Sequence, residues 1–258
     1  MWKWESTKAD AVFVIVHGAG EHHQRYAWLI EQLNTNGCHV VTGDLPGQGK
    51  TRGKRGHISS FTQYMDTITG WYEEAASYRL PVFLLGHSMG GLAVIRTMME
   101  KKLDVHGVIL SSPCLGLVNP PSKSKDVAAR VLHRVTPTLR AKSGINSALA
   151  TRNEQVREAY VKDEMRVSKV SIRWYQELVK AMKIANRSTE AFPDVPLLVL
   201  QAGDDHIVDK FAVERWFNQV QLSDKSYKEW DQLYHEVFNE PERDEVFRLT
   251  KSFIELRK

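Results

Sequence analysis

The sequence predicts an α/β fold built on a mostly parallel, doubly wound sheet. Two observations carry this. Short apolar runs rich in β-branched residues recur along the 258 residues, and segments of helical spacing separate them. Continuous apolar runs suit strands buried on both faces of a parallel sheet, and alternation of strand with helix implies crossover connections.

The strand candidates are Val12–Val16, Val40–Thr42, Val82–Leu85, Val108–Leu110 and Leu197–Leu200, with Tyr227–Trp230 as an edge strand. After the first, Tyr26, Leu29, Ile30 and Leu33 fall on one helical face, and Gly37 stands where a C-cap glycine would. Phe61, Tyr64, Met65, Ile68, Tyr72 and Ala75 repeat the pattern behind Ser59 and Ser60, which can cap. Leu92, Ile95 and Met99 follow the third run, and Val213, Trp216, Phe217 and Val220 the fifth. Pro241 can open a last helix that turns Val246, Leu249, Phe253 and Ile254 inward.

One stretch breaks the rhythm. Between Gly116 and Glu190 no buried strand is recognisable, and helical patterns follow Asn119-Pro120-Pro121-Ser122. That stretch holds fifteen Lys or Arg against seven Asp or Glu, a balance of +8, while the rest of the chain is −4. The expected organisation is a core of residues 1–115 and 191–258, with 116–190 as a helical cap over the C-terminal edge of the sheet.

Composition excludes several classes. The chain is 42% apolar and 26% charged, as a globular protein is, and a net charge of +4 is too mild to argue for nucleic acid. No apolar run approaches the ~18 residues of a membrane span. Met1-Trp2-Lys3-Trp4-Glu5 shows no basic region leading into a long apolar one, so a cytoplasmic location is expected. Cys38 and Cys114 read as reduced thiols.

The chemistry is concentrated in Gly86-His87-Ser88-Met89-Gly90, a G-x-S-x-G pattern between a buried strand and a helical stripe. That setting makes Ser88 a candidate nucleophile on a sharp strand-to-helix turn. A serine hydroxyl needs a base, and the base needs an orienting acid. In this arrangement the acid and then the base follow the serine along the chain. Past Leu197–Leu200 lie Asp204 and Asp205; Asp205, directly before His206-Ile207-Val208, is preferred. His235, after the edge strand, is the candidate base, with His206 as a rival whose position beside Asp205 turns it elsewhere. Two backbone N–H groups should form the oxyanion hole: that of Met89, after the nucleophile, and that of Ala19, after the bend at Gly18. His17, His22 and His23 cluster without zinc-ligand spacing, so no metal or cofactor is expected. Gly43–Thr51 resembles a phosphate loop only superficially, since Asp44 stands where its first glycine should.

With these residues in view, the sequence resembles the monoacylglycerol lipase and lysophospholipase group of the α/β-hydrolase superfamily. The resemblance lies in His17-Gly18-Ala19-Gly20-Glu21-His22 with Arg25-Tyr26, in Asp44, Gly47 and Gly49, in the Ser88 pentapeptide, in Thr151-Arg152-Asn153, and in Asp205 and Tyr234-His235. It implies a serine hydrolase cleaving the ester of a lipid with one acyl chain, a monoacylglycerol first and a lysophospholipid second. It further implies a Ser88–His235–Asp205 triad, Arg25 and His87 near the polar head of the substrate, and a cap forming an acyl tunnel. The apolar face of Trp174, Tyr175, Leu178, Val179, Met182 and Ala185 is wider than a surface helix needs, so Trp174 and Leu178 are expected to meet the acyl chain. The basic cap is also expected to touch anionic lipid surfaces transiently. Two departures are a shortened N-terminal hairpin and Ala202 where many relatives carry glycine. A non-catalytic ligand receptor of this fold is the remote alternative.

Overall fold

The computed structural model describes residues 1–258, apart from the side chains of Lys123, Lys125, Asp126 and Arg130. The chain begins with β1 (Trp2–Trp4), β2 (Ala11–Val16), α1 (Ala27–Thr35), β3 (Cys38–Thr42), α2 (Thr62–Ala76), β4 (Val82–His87), α3 (Met89–Lys101) and β5 (Gly107–Ser111). An insertion follows, with α4 (Lys123–Val135), β6 (Arg140–Lys142), α5 (Ser147–Ala150), α6 (Glu154–Lys162), β7 (Lys169–Ser171) and α7 (Ile172–Arg187). The chain then completes the sheet with β8 (Leu197–Ala202), α8 (Lys210–Gln219), β9 (Lys225–Trp230) and α9 (Arg243–Glu255).

Seven strands lie in the order β1-β3-β2-β4-β5-β8-β9. All neighbours pair in parallel except β1, which runs antiparallel to β3. The period of two along each strand divides the interior in two. Val12, Val14, Val16 and Leu84 face α2, α3 and α7, while Phe13, Ile15, Phe83 and Leu85 face α1 and α9. Register sets residues of the same face side by side: Phe13 pairs with Phe83 across β2 and β4, and their rings stack at 5.4 Å. Both faces are covered, as the continuous apolar runs require. Parallel strands also bring the ends of β2, β4 and β8 to one edge, which is where such sheets bind ligands.

The insertion is helical but not wholly so. β6 and β7 form a short antiparallel pair. With three residues each, and β6 fully exposed, they offer no apolar run to detect. Helix α7 starts at Ser171, whose Oγ accepts the Trp174 N–H at 3.0 Å, and buries Trp174, Leu178, Ala181, Met182 and Ala185 in the first core. Helix α4 packs against α7, but Val127, Val131 and Val135 are 57%, 60% and 74% exposed, so this apolar side of it faces solvent. The N-terminal hairpin is reduced to β1 alone. Gly37 closes α1 with φ +81°, as a C-cap glycine does. Helix α2, in contrast, begins at Thr62 with Phe61 as N-cap; Ser60 Oγ accepts the Thr62 N–H from just outside. Cys38 and Cys114 are both buried and unpaired. Among the described residues no helix is long and apolar enough to cross a membrane.

Candidate active site

Strand β4 ends at His87, and the next residue, Ser88, adopts φ +54° and ψ −120° before α3 begins. This backbone is costly for a residue with a Cβ and is held by its surroundings. The Ser88 N–H donates to Ser111 O at 2.9 Å, and its carbonyl accepts from Leu92 and Cys114. The flanking glycines are steric necessities. A Cβ on Gly90 would lie 2.2 Å from the Val16 carbonyl oxygen, and one on Gly86 would lie 2.7 Å from that of Gly90. The turn can be this tight only where both lack side chains.

His235 Nε2 lies 2.8 Å from Ser88 Oγ, and His235 Nδ1 lies 2.8 Å from Asp205 Oδ2. The loop after β8 delivers Asp205. Its Oδ1 accepts the N–H groups of Ile207 and Val208 at 2.9 and 2.8 Å, and Gln201 Nε2 donates to Oδ2 at 3.3 Å. The side chain of Asp205 is fully buried, whereas that of Asp204 is half exposed and faces His206 at 3.5 Å. Of the competing pairs, the geometry therefore joins Asp205 and His235 to Ser88 and leaves Asp204 and His206 apart.

Burial works against the charge of Asp205, but His235 and the two loop amides outweigh it and hold its pKa below the ordinary value. Burial likewise disfavours an imidazolium at His235, yet the charge and hydrogen bond of Asp205 raise its pKa above the ordinary 6.5. A base that must be neutral to accept a proton then loses function as pH falls through that raised value. The acid limb of kcat/KM should have its midpoint above 6.5. His87, pushed down to about 4 by burial and by His235, stays neutral over that range and contributes no limb there. A pH–rate profile checks this; an acid midpoint below 6.5 would contradict it.

The two backbone donors are available. Met89 opens α3, so its N–H has no acceptor within the helix. In the turn after β2, Gly18 N–H donates to Glu21 Oε2 and Gly20 N–H to Gln48 Oε1, and Ala19 lies between them on the wall beside Ser88.

Two recesses meet at Ser88. One is a cavity of about 230 Å³ with a mainly apolar lining that includes Met89, Cys114, Leu117, Leu149, Trp174 and Leu178. The other is a small polar cleft walled by Glu21, His87, Tyr160, His235 and Glu236. Ile145 and Ile207 border both. Trp174 and Leu178 line the apolar cavity and His87 lines the polar cleft. Arg25 stands behind the cleft wall. Its Nε donates to Glu21 at 3.0 Å, its guanidinium reaches Glu236 at 2.5 Å, and its side chain is only 8% exposed. Its charge is therefore taken up by two carboxylates. Burial and the neighbouring Glu21 push Glu236 above the usual carboxylate range, despite Arg25. In Glu21 the attraction of Arg25 overcomes burial and keeps the carboxyl charged.

Glu21, Glu236 and Tyr160 are site residues that the sequence reading did not single out. Glu21 lies inside the His17–His22 stretch and Glu236 directly follows His235, but their link through Arg25 spans 211 residues and leaves no local trace. The other histidines have structural partners. His22 pairs with Asp163 of the insertion at 2.7 Å, and His23 with Asp44 at 2.8 Å. His17 accepts the Leu45 N–H at Nε2. The Gly43–Thr51 turn closes on Asp44, which also accepts the Lys50 N–H.

A family model described as serine aminopeptidase, S33, matches residues 7–242. The chain belongs to this family of α/β-hydrolases. It is 52% identical to the phospholipase YtpA of Bacillus subtilis (strain 168), over 98% of each chain. It is 32% identical to the monoglyceride lipase of Homo sapiens, covering 93% of this chain and 79% of the human one. A monoacylglycerol lipase from Paleococcus ferrophilus superposes with a TM-score of 0.91 at 32% identity, over 100% of this chain and 98% of the other.

Proposed function

We propose that this S33 chain is a carboxylic ester hydrolase that cleaves single-chain lipids, with monoacylglycerol yielding fatty acid and glycerol. The observation that carries the reading is the position of Ser88, at the junction of an apolar cavity and a polar cleft. An ester of a long acyl chain with a small polyol has the same division on either side of its carbonyl.

His235 takes the Ser88 proton as Oγ attacks the carbonyl, while Asp205 holds the imidazole and offsets its charge. The Ala19 and Met89 N–H groups receive the oxyanion; losing one such donor typically costs on the order of 100- to 1000-fold. The tetrahedral adduct collapses, the alcohol leaves with the proton from His235, and water attacks the acyl-enzyme by the same route. Trp174 and Leu178 contact the acyl chain, and His87 borders the leaving alcohol. Residues 116–190 act as the cap that closes both recesses.

A second reading is release of a fatty acid from a lysophospholipid or phospholipid, favoured by the 52% identity to a phospholipase. The cleft argues for the neutral alcohol. Its carboxylates, Glu21 and Glu236, both contact Arg25, and among the described residues that line it there is no Lys or Arg to receive a phosphate. Hydroxyl groups can donate to those oxygens without a change in charge. One panel tests this: monoacylglycerols, lysophosphatidylcholines and an amino-acid anilide under equal conditions. Monoacylglycerol should turn over fastest; faster cleavage of the lysophospholipid or the anilide would reverse the assignment.

The same reading includes transient contact of the cap with anionic lipid surfaces. The exposed Val127, Val131 and Val135 of α4 lie in a segment of charge +8. Binding to vesicles containing phosphatidylglycerol should exceed binding to phosphatidylcholine vesicles and weaken with salt. Equal affinity for both would remove the electrostatic part of the claim.

A further inference from the structure

The oxyanion turn is braced from both sides, and one brace is a residue with no part in the triad. Gly18 N–H is held by Glu21, and Gly20 N–H donates to Gln48 Oε1 at 3.0 Å. Among the described residues, neither brace engages the Ala19 N–H between them. We propose that Gln48 is a positioning residue: by holding the Gly20 N–H it aims the neighbouring Ala19 N–H at the developing oxyanion. This rests on the reading of Ser88 as the nucleophile.

Gln48 is built to be rigid. It is fully buried, its N–H donates to Leu45 O at 2.9 Å, and its carbonyl accepts from Thr51 N and Oγ1 at 3.1 and 2.6 Å. The glycines on either side have φ +76° and +50°, which turns the chain so that the Gln48 side chain enters the interior. A Cβ on Gly49 would meet the Asp44 carboxylate at 2.3 Å, so the turn is packed as well as hydrogen-bonded.

Gln48 Nε2 is buried and has no hydrogen-bond partner among the described residues, so the amide engages the turn through its oxygen. A buried polar contact of this kind is stiff because water cannot replace it. The alternative is that Gln48 merely satisfies a buried N–H, in which case its loss would lower stability without selectively lowering turnover.

Gln48→Met keeps the length of the side chain and removes the acceptor. On p-nitrophenyl octanoate, kcat should fall about 10- to 100-fold while KM stays within about 3-fold, since a displaced donor weakens the transition state and not the bound ester. Affinity for an octyl trifluoromethyl ketone, which forms a tetrahedral adduct on serine, should fall by a similar factor. Gln48→Glu keeps an acceptor oxygen at the same side-chain length and should retain kcat within about 5-fold of wild type. Unchanged kcat in Gln48→Met, or a loss carried by KM alone, overturns the positioning role. A loss of kcat in Gln48→Glu as large as that expected of Gln48→Met also overturns it, and this holds even where Gln48→Met fails to fold. Wild-type protein that does not hydrolyse the octanoate ester and takes up no fluorophosphonate at Ser88 would instead overturn the proposed function itself.

Discussion

Ser88→Ala should abolish hydrolysis of any ester this protein accepts, by a factor on the order of 10⁴ or more in kcat. The acyl-enzyme route requires an oxygen at that position, and the variant leaves His235 with no proton to take. Labelling by a fluorophosphonate should disappear with it. Stability should not fall, because Ser88 Oγ contributes only the contact to His235, 2.8 Å away. Ser88→Gly sharpens the point. The backbone at φ +54° is costly because of the Cβ, and glycine adopts it freely. That variant should be equally inactive yet melt at or above the wild-type temperature. A folded Ser88→Ala protein that still labels, or still turns over substrate, would remove Ser88 from the chemistry.

This case also marks what a sequence reveals here. The elbow was legible because its constraint is local. Two glycines at fixed offsets are forced by carbonyl oxygens of Gly90 and Val16, and the strand before them is continuous in its apolar residues. The sheet was legible for a similar reason, since both of its faces are buried. The polar cleft was not. Glu236 joins it through Arg25, 211 residues away, and Tyr160 through an insertion whose fold has no strong local pattern. Arg25 looked available for a head group, and only its two ion pairs show that its charge is already neutralised. Helix α4 shows the opposite difficulty. Its apolar stripe resembles that of α7 in sequence, yet α7 is buried while Val127, Val131 and Val135 of α4 are exposed, because a stripe does not specify what covers it.

Asp204 and Asp205 are neighbours in sequence, with Asp205 the preferred acid, and their asparagine variants should differ by about three orders of magnitude. Asp205→Asn is the severe one. Asp205 Oδ1 is committed to the N–H groups of Ile207 and Val208, so an asparagine keeps its oxygen there and turns its NH₂ toward His235 Nδ1. Nδ1 must then accept, which places the imidazole proton on Nε2 and against Ser88 Oγ. That tautomer cannot act as a base, and kcat should fall on the order of 10³- to 10⁴-fold. Asp204→Asn loses only a 3.5 Å contact to His206 at a half-exposed position, and its activity should stay within about 2-fold of wild type. Steady-state kinetics on one p-nitrophenyl ester separate the two, and a greater loss in Asp204→Asn would transfer the orienting role to that residue. The residual activity of Asp205→Asn adds a second check. Without the carboxylate, the influence that lifts His235 is gone while its burial remains. The acid limb of the profile should therefore move to lower pH than in the wild type, and a limb that stayed in place would mean that Asp205 does not set the proton affinity of the base.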